Sequence, residues 1–118
     1  METGIALYNT ELHGCLNGVY TNDGAKGEIS NEVAKLKHGT SLGIDGISGE
    51  YDCFYFDTKN RREGWVLIIT AHASNPSKGI YWFDFLWKDK NRKDEFRGVG
   101  YKMNSSQIAV HYEYIGKK

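Results

Sequence analysis

Four histidines, His13, His38, His72 and His111, are the first residues to weigh for metal or acid–base chemistry. None lies two or four positions from another, so no local ligand pair forms and metal binding is disfavoured. His72 ends the apolar run Ile69-Thr70-Ala71-His72-Ala73-Ser74. A strand end of this kind places either a ligand contact or base, or a solvated, hydrogen-bonded histidine. His111 alternates with Ala109 and Glu113, which puts it on an outer or interface face. Asp52 and Asp84 each interrupt an aromatic run, and a buried carboxylate is costly unless paired. Each therefore lines a polar pocket or faces solvent or a basic neighbour. Glu50 and Asp52 share a face, yet hydrolytic carboxylates are defined by distances across a cavity, which spacing does not supply. Ser30, Ser41, Ser48 and Ser74 lack a GxSxG context, and Arg97-Gly98-Val99-Gly100-Tyr101 opens no helix, so neither a nucleophile elbow nor a phosphate loop is present. One catalytic alternative survives: a small calycin or curved-sheet enzyme using His72 with Asp52 or Asp84, with a helix over 30–38.

The elements that must position these groups follow from composition. At 118 residues the chain is one domain of a size that buries its own core. Fifteen basic residues balance fifteen acidic ones, so the field that nucleic acid or an anionic membrane surface requires is lacking, and both partners are discounted. Eight Tyr, five Phe and three Trp beside fourteen Gly and one Pro point to many strands joined by tight turns, an all-β chain. Cys15 and Cys53 form no CxxC or Cys/His zinc spacing. They are two thiols in a cytosolic protein or a disulfide in an exported one. The start Met1 to Asn9 has no basic segment or long apolar core, so the chain as written reads as cytoplasmic, or as secreted if a signal peptide has been removed.

Strand signals run through most of the chain. Leu16 to Thr21 is β-prone and stops in the turn residues Asn22, Asp23 and Gly24. Later runs at 47–57, 64–73, 79–89, 95–103 and 106–116 are separated by short charged or glycine-containing connections, the pattern of an antiparallel meander. Residues 1–15 form an N-terminal arm or an extra strand, and 16–118 the single barrel domain. The 27–44 region is ambiguous: Ile29, Val33 and Leu36 fit a helical face ending at Gly39, while the neighbouring strands favour extended structure. Both faces of Tyr51 to Phe56, Trp65 to Ile69 and Ile80 to Trp87 are largely apolar. A sheet with one wet face would alternate, so the second face is expected to be covered, most economically by another copy of the chain. Closure into a barrel would also remove exposed sheet edges. A two-sheet sandwich explains the two-sided apolarity less directly.

Leu16-Asn17-Gly18-Val19-Tyr20-Thr21-Asn22-Asp23 resembles the opening strand of the avidin and streptavidin family, Leu-x-Gly-x-Trp-x-Asn, with Tyr20 in the tryptophan's place. Gly46-Ile47-Ser48-Gly49-Glu50-Tyr51 is similar to that family's third strand, and the likeness extends over 16–116. The resemblance implies an eight-stranded up-and-down barrel that binds biotin in its open mouth and assembles as dimers or tetramers. It also implies that Asn22 and Tyr51 meet the ureido oxygen. The sequence departs from the pattern where a ligand serine is expected, at Ala25 or Lys26, and at Cys53, which replaces a small hydroxyl residue. Ser74 is the remaining match at the end of the middle strand.

These readings converge on an antiparallel up-and-down meander closed into a seven- to eight-stranded barrel. It is expected to be a non-catalytic binder of a small molecule, with Asn22, Tyr51, Cys53, His72, Ser74, Trp82 and Trp87 at the ligand, no cofactor and no metal. A homo-oligomer, dimer or tetramer, is the expected assembly. The alternative is a protein-interaction or structural barrel that presents its outer aromatic faces.

Overall fold

Among the described residues, the strands over 3–9 and 30–36 alternate buried and exposed positions. The computed structural model describes residues 3–25, 27–56, 61–75, 80–90 and 94–117, with side-chain placement for all of these except 25, 61–63, 72–75, 80, 81 and 117. The described residues form eight strands: β1 (Thr3–Asn9), β2 (Cys15–Asn22), β3 (Ser30–Leu36), β4 (Gly49–Phe56), β5 (Arg61–Asn75), β6 (Ile80–Asp89), β7 (Asp94–Asn104) and β8 (Gln107–Lys117). Each pairs antiparallel with its sequence neighbours, and β8 pairs back onto β1 to close the barrel. The fold is thus the all-β up-and-down barrel expected from the strand pattern. Among the described residues no helix is long and apolar enough to cross a membrane.

Both uncertain stretches become strands. Residues 3–9 form β1, which fills the gap between β2 and β8. The ambiguous segment supplies β3, not the helix over 30–38 that would accompany a curved-sheet enzyme. In β3, Ser30, Glu32 and Ala34 are buried while Asn31 and Lys35 are exposed, a period of two. The strand expected over 47–57 begins only at Gly49, because Asp45 accepts bonds from the backbone N–H groups of Ile47 (2.8 Å) and Ser48 (2.6 Å) and holds a turn. Gly46, at φ 78°, supplies the left-handed conformation of that turn.

The barrel interior is filled by large rings seated on inward glycines. A Cβ on Gly18 would collide with Tyr8, one on Gly4 with Tyr112, and one on Gly100 with Phe85. Tyr8 stacks on Phe85 at a centroid distance of 6.1 Å, and Phe85 meets Trp87 at 5.5 Å. Trp87 in turn meets Tyr112 at 5.6 Å, so one aromatic ladder runs through the core.

Because successive strands alternate in direction, the barrel has two distinct ends. One gathers the connections after β1, β3, β5 and β7. There Ile47 is buried and Leu42 packs on the core, so the β3–β4 connection caps this end. The other gathers the connections after β2, β4 and β6 together with the start of β1 and the end of β8. No described apolar plug covers it, and we call it the mouth.

Candidate functional site

The mouth is edged by half-buried rings contributed by five strands. Tyr20 of β2 meets Tyr55 of β4 at 5.7 Å, and Tyr55 meets Trp65 of β5 at 6.0 Å. Trp65 meets Phe96 of β7 at 5.6 Å, and Phe96 meets Tyr114 of β8 at 5.1 Å. These centroid distances and the edge-to-face or tilted angles are those of favourable aromatic pairs. Tyr112 closes the collar across β1: its hydroxyl donates to the Thr21 carbonyl at 3.3 Å and accepts from Asn22 Nδ2 at 3.4 Å. Tyr114 is fixed at the rim by its hydroxyl bond to Asp94 at 2.9 Å.

Beneath this collar lies Glu32, only 2% exposed. Register explains its place: Ser30 pairs with Tyr20, and Glu32, two residues deeper on the same face, pairs with Gly18 and Tyr55. Its Oε1 accepts a 2.6 Å bond from the Tyr8 hydroxyl, and its Oε2 accepts from Trp87 Nε1 at 3.2 Å. Burial raises the Glu32 carboxyl above its ordinary range, opposed by these two bonds and by the Cys53 thiol. Burial also drives the Tyr8 hydroxyl and the Cys53 thiol well above their usual values, with the Glu32 charge acting in the same direction. Tyr55, facing the same carboxyl, is raised for the same two reasons. Beneath the collar is therefore a buried polar knot, in which both Glu32 oxygens are already taken by the Tyr8 hydroxyl and the Trp87 N–H.

The residues singled out from the sequence divide among four places. Asn22 stands at the mouth. Cys53 and Trp87 lie in the core, where both contact Glu32. Tyr51 does not join Asn22: β2 and β4 run in the same direction, so Asn22, which ends β2, and Tyr51, near the start of β4, sit at opposite ends of the barrel. The Tyr51 hydroxyl instead donates to the Ile47 carbonyl at 2.6 Å, and burial pushes it up to about 12. Trp82 faces outward, 42% exposed, and so does not line the interior. The side chains of His72 and Ser74 lie outside the described residues. Their backbone belongs to the capped end of β5, where the pairing with β6 shifts between Ala71 and Ala73. Free thiols rather than a disulfide occupy Cys15 and Cys53.

Sequence reasoning passed over Glu32 because its segment could not be assigned to strand or helix, and without a period an acidic residue has no face. The carboxylates it did weigh face outward. Asp52 pairs with Lys90 at 3.7 Å, Glu50 pairs with Lys37 at 3.7 Å, and Asp84 is exposed on β6. Among the described residues no group of three His, Cys, Asp or Glu is placed to hold a metal ion. No family model, curated protein or solved structure matches the chain. The likeness to avidin thus rests on its short glycine-led motifs alone.

Proposed function

We propose that this chain is a non-catalytic barrel that receives a small molecule at its mouth. The observation that carries this reading is the asymmetry of the two ends. A capped end buries apolar side chains, while the mouth sets half-buried rings over a buried carboxyl. Barrel mouths with aromatic walls and a few polar groups are ordinary ligand sites. Asn22 makes biotin the natural first probe, whereas Tyr51, its expected companion, stands at the far end and argues for a different ligand. Calorimetric titration with biotin and a panel of planar and alkylated small molecules tests the reading, with Trp65 fluorescence as a second readout. Saturable heat with a Trp65 response that Trp65→Leu abolishes is the expected result. Silence across the panel, with crystals showing the mouth filled by its own rings, would remove it.

The outer aromatic faces favour a second, compatible reading, that the barrel associates with protein, first of all with itself. Trp82, Tyr101, Val99 and Met103 are all exposed on neighbouring strands, and contiguous apolar surface of this kind marks interaction sites.

A further inference from the structure

Resting on the reading that the mouth receives a small molecule, we infer that this molecule is a flat ring compound with a hydrogen-bond acceptor toward each end, held by the Ser30 hydroxyl and the Trp65 indole N–H. Both residues face the interior. Ser30 shares the buried face of β3 with Glu32 and Ala34, and it lies opposite Tyr20 in the pairing of β2 with β3. Trp65 lies opposite Cys53 of β4, and its ring stands between those of Tyr55 and Phe96.

The other polar side chains in this half of the interior are engaged. Both Glu32 oxygens are taken by Tyr8 and Trp87, Asp94 accepts from the Tyr114 hydroxyl, and the Tyr112 hydroxyl joins Thr21 and Asn22. The Tyr55 hydroxyl is paired with the Cys53 thiol, and Tyr20 and Asp89 have interactions of their own. Ser30 and Trp65 differ. Among the described residues neither the Ser30 hydroxyl nor the Trp65 N–H has a hydrogen-bond partner, although Ser30 is only 9% exposed and Trp65 is half-buried. Buried polar groups are ordinarily satisfied, so a hydroxyl held inward without a bond to the fold points to a partner from outside the chain.

The chemistry of these two groups sets the ligand class. An indole N–H donates and does not accept, and a serine hydroxyl donates to any acceptor brought to it. A carbonyl oxygen or a ring nitrogen answers either. Because β4 separates β3 from β5, the two donors stand on either side of Tyr55 and call for two acceptors rather than one. Tyr55 itself meets Tyr20, the residue opposite Ser30, on one side and Trp65 on the other. The half-buried rings of Tyr20, Tyr55, Trp65 and Phe96 supply flat apolar surface for the body of the molecule.

Proton–nitrogen correlation NMR of the full chain tests this, by titration with para-acetylpyridine, which has an acceptor at each end, and with ethylbenzene, which has a similar shape and none. Both should bind, and the Trp65 indole N–H resonance should move downfield with para-acetylpyridine alone. The ratio of the two affinities cancels the ring contacts that both probes share. Trp65→Phe, which keeps a ring, and Ser30→Ala should each lower that ratio about fivefold, as expected for one hydrogen bond. Ser30→Ala should also unfold in urea at a midpoint no lower than wild type. No saturable shift with either probe ends the mouth reading and this inference together. Binding of both probes with a ratio that neither variant changes keeps the mouth reading and overturns this inference, and a ratio that one variant leaves unchanged removes that donor. A destabilised Ser30→Ala shows its hydroxyl bonded within the fold and overturns its part.

Discussion

The two ends of this barrel are built from the same strands and the same alternation, yet they solve opposite problems. At the capped end Leu16, Ala34, Tyr51, Ile69, Phe83 and Ile108 are buried, and the β3–β4 connection closes over them with Ile47. The polar groups of that connection are consumed locally: Asp45 holds Ser48 and the Ile47 N–H, and Tyr51 holds the Ile47 carbonyl. At the mouth the inward positions are occupied by Tyr20, Tyr55, Trp65, Phe96 and Tyr114, rings that leave part of their surface in water. Packing density stabilises a fold, while partly exposed rings over a polar floor leave surface for something else to cover. One end is closed by buried apolar side chains, and the other keeps ring surface in water.

The largest test of this contrast is Phe85→Ala, which empties the middle of the aromatic ladder and the space over Gly100. It should lower stability by about 3–5 kcal/mol in urea unfolding. Glu32→Ala comes next, at about 2–4 kcal/mol, because the Tyr8 hydroxyl and Trp87 N–H are left buried without an acceptor. Glu32→Gln sharpens the point through pH. A carboxyl raised in the folded state holds its proton longer there than in the unfolded chain. Its contribution is full below the unfolded value of about 4.3 and is lost as pH climbs through the folded value. Stability of the wild-type chain should therefore carry a falling component over that window, and Glu32→Gln should flatten it. No change in slope would mean that Glu32 is ionised throughout.

At the mouth, Trp65→Leu should cost only about 1–2 kcal/mol, since the ring is half-buried, while abolishing the ligand signal. A loss as large as that of Phe85→Ala would show the mouth to be packed like the core and would break the comparison. Smallest is Asp45→Asn in the capping turn, at about 0.5–1 kcal/mol. Burial works to raise the Asp45 carboxyl, but the bonds from Ser48 and Ile47 outweigh it and hold it below the usual range. Its contribution is present above the unfolded value and disappears as pH falls through the folded one, the reverse of Glu32. Melting curves of Asp45→Asn and Glu32→Gln across acidic pH should therefore depart from wild type in opposite directions.

Much of the strand order was legible because its cues are local. The turn chemistry of Asn22-Asp23-Gly24 and the aromatic runs around Phe54 and Phe83 need no tertiary context. The site was less legible, and the reason differs by residue. Glu32 lay in a segment whose period was masked by the partial helical match of Ile29, Val33 and Leu36. Tyr51 carried a family motif whose local pattern is silent about which end of the barrel it reaches. Trp82 and Trp87, five positions apart on one strand, must face opposite sides, yet their run is apolar on both faces, so parity alone left the inward ring unassigned.

The sequence by itself determined an all-β meander, a chain without a nucleophile-elbow or phosphate-loop motif, and several strands largely apolar on both faces. Those properties depend on residue type and on spacing of a few positions. Tertiary structure decided that β1 closes the barrel against β8, that Asn22 and Tyr51 lie at opposite ends, and that Tyr8, Cys53 and Trp87 converge on Glu32. Such outcomes follow from register and closure, and a two-residue shift in pairing changes which side chains meet while leaving every local pattern as it was.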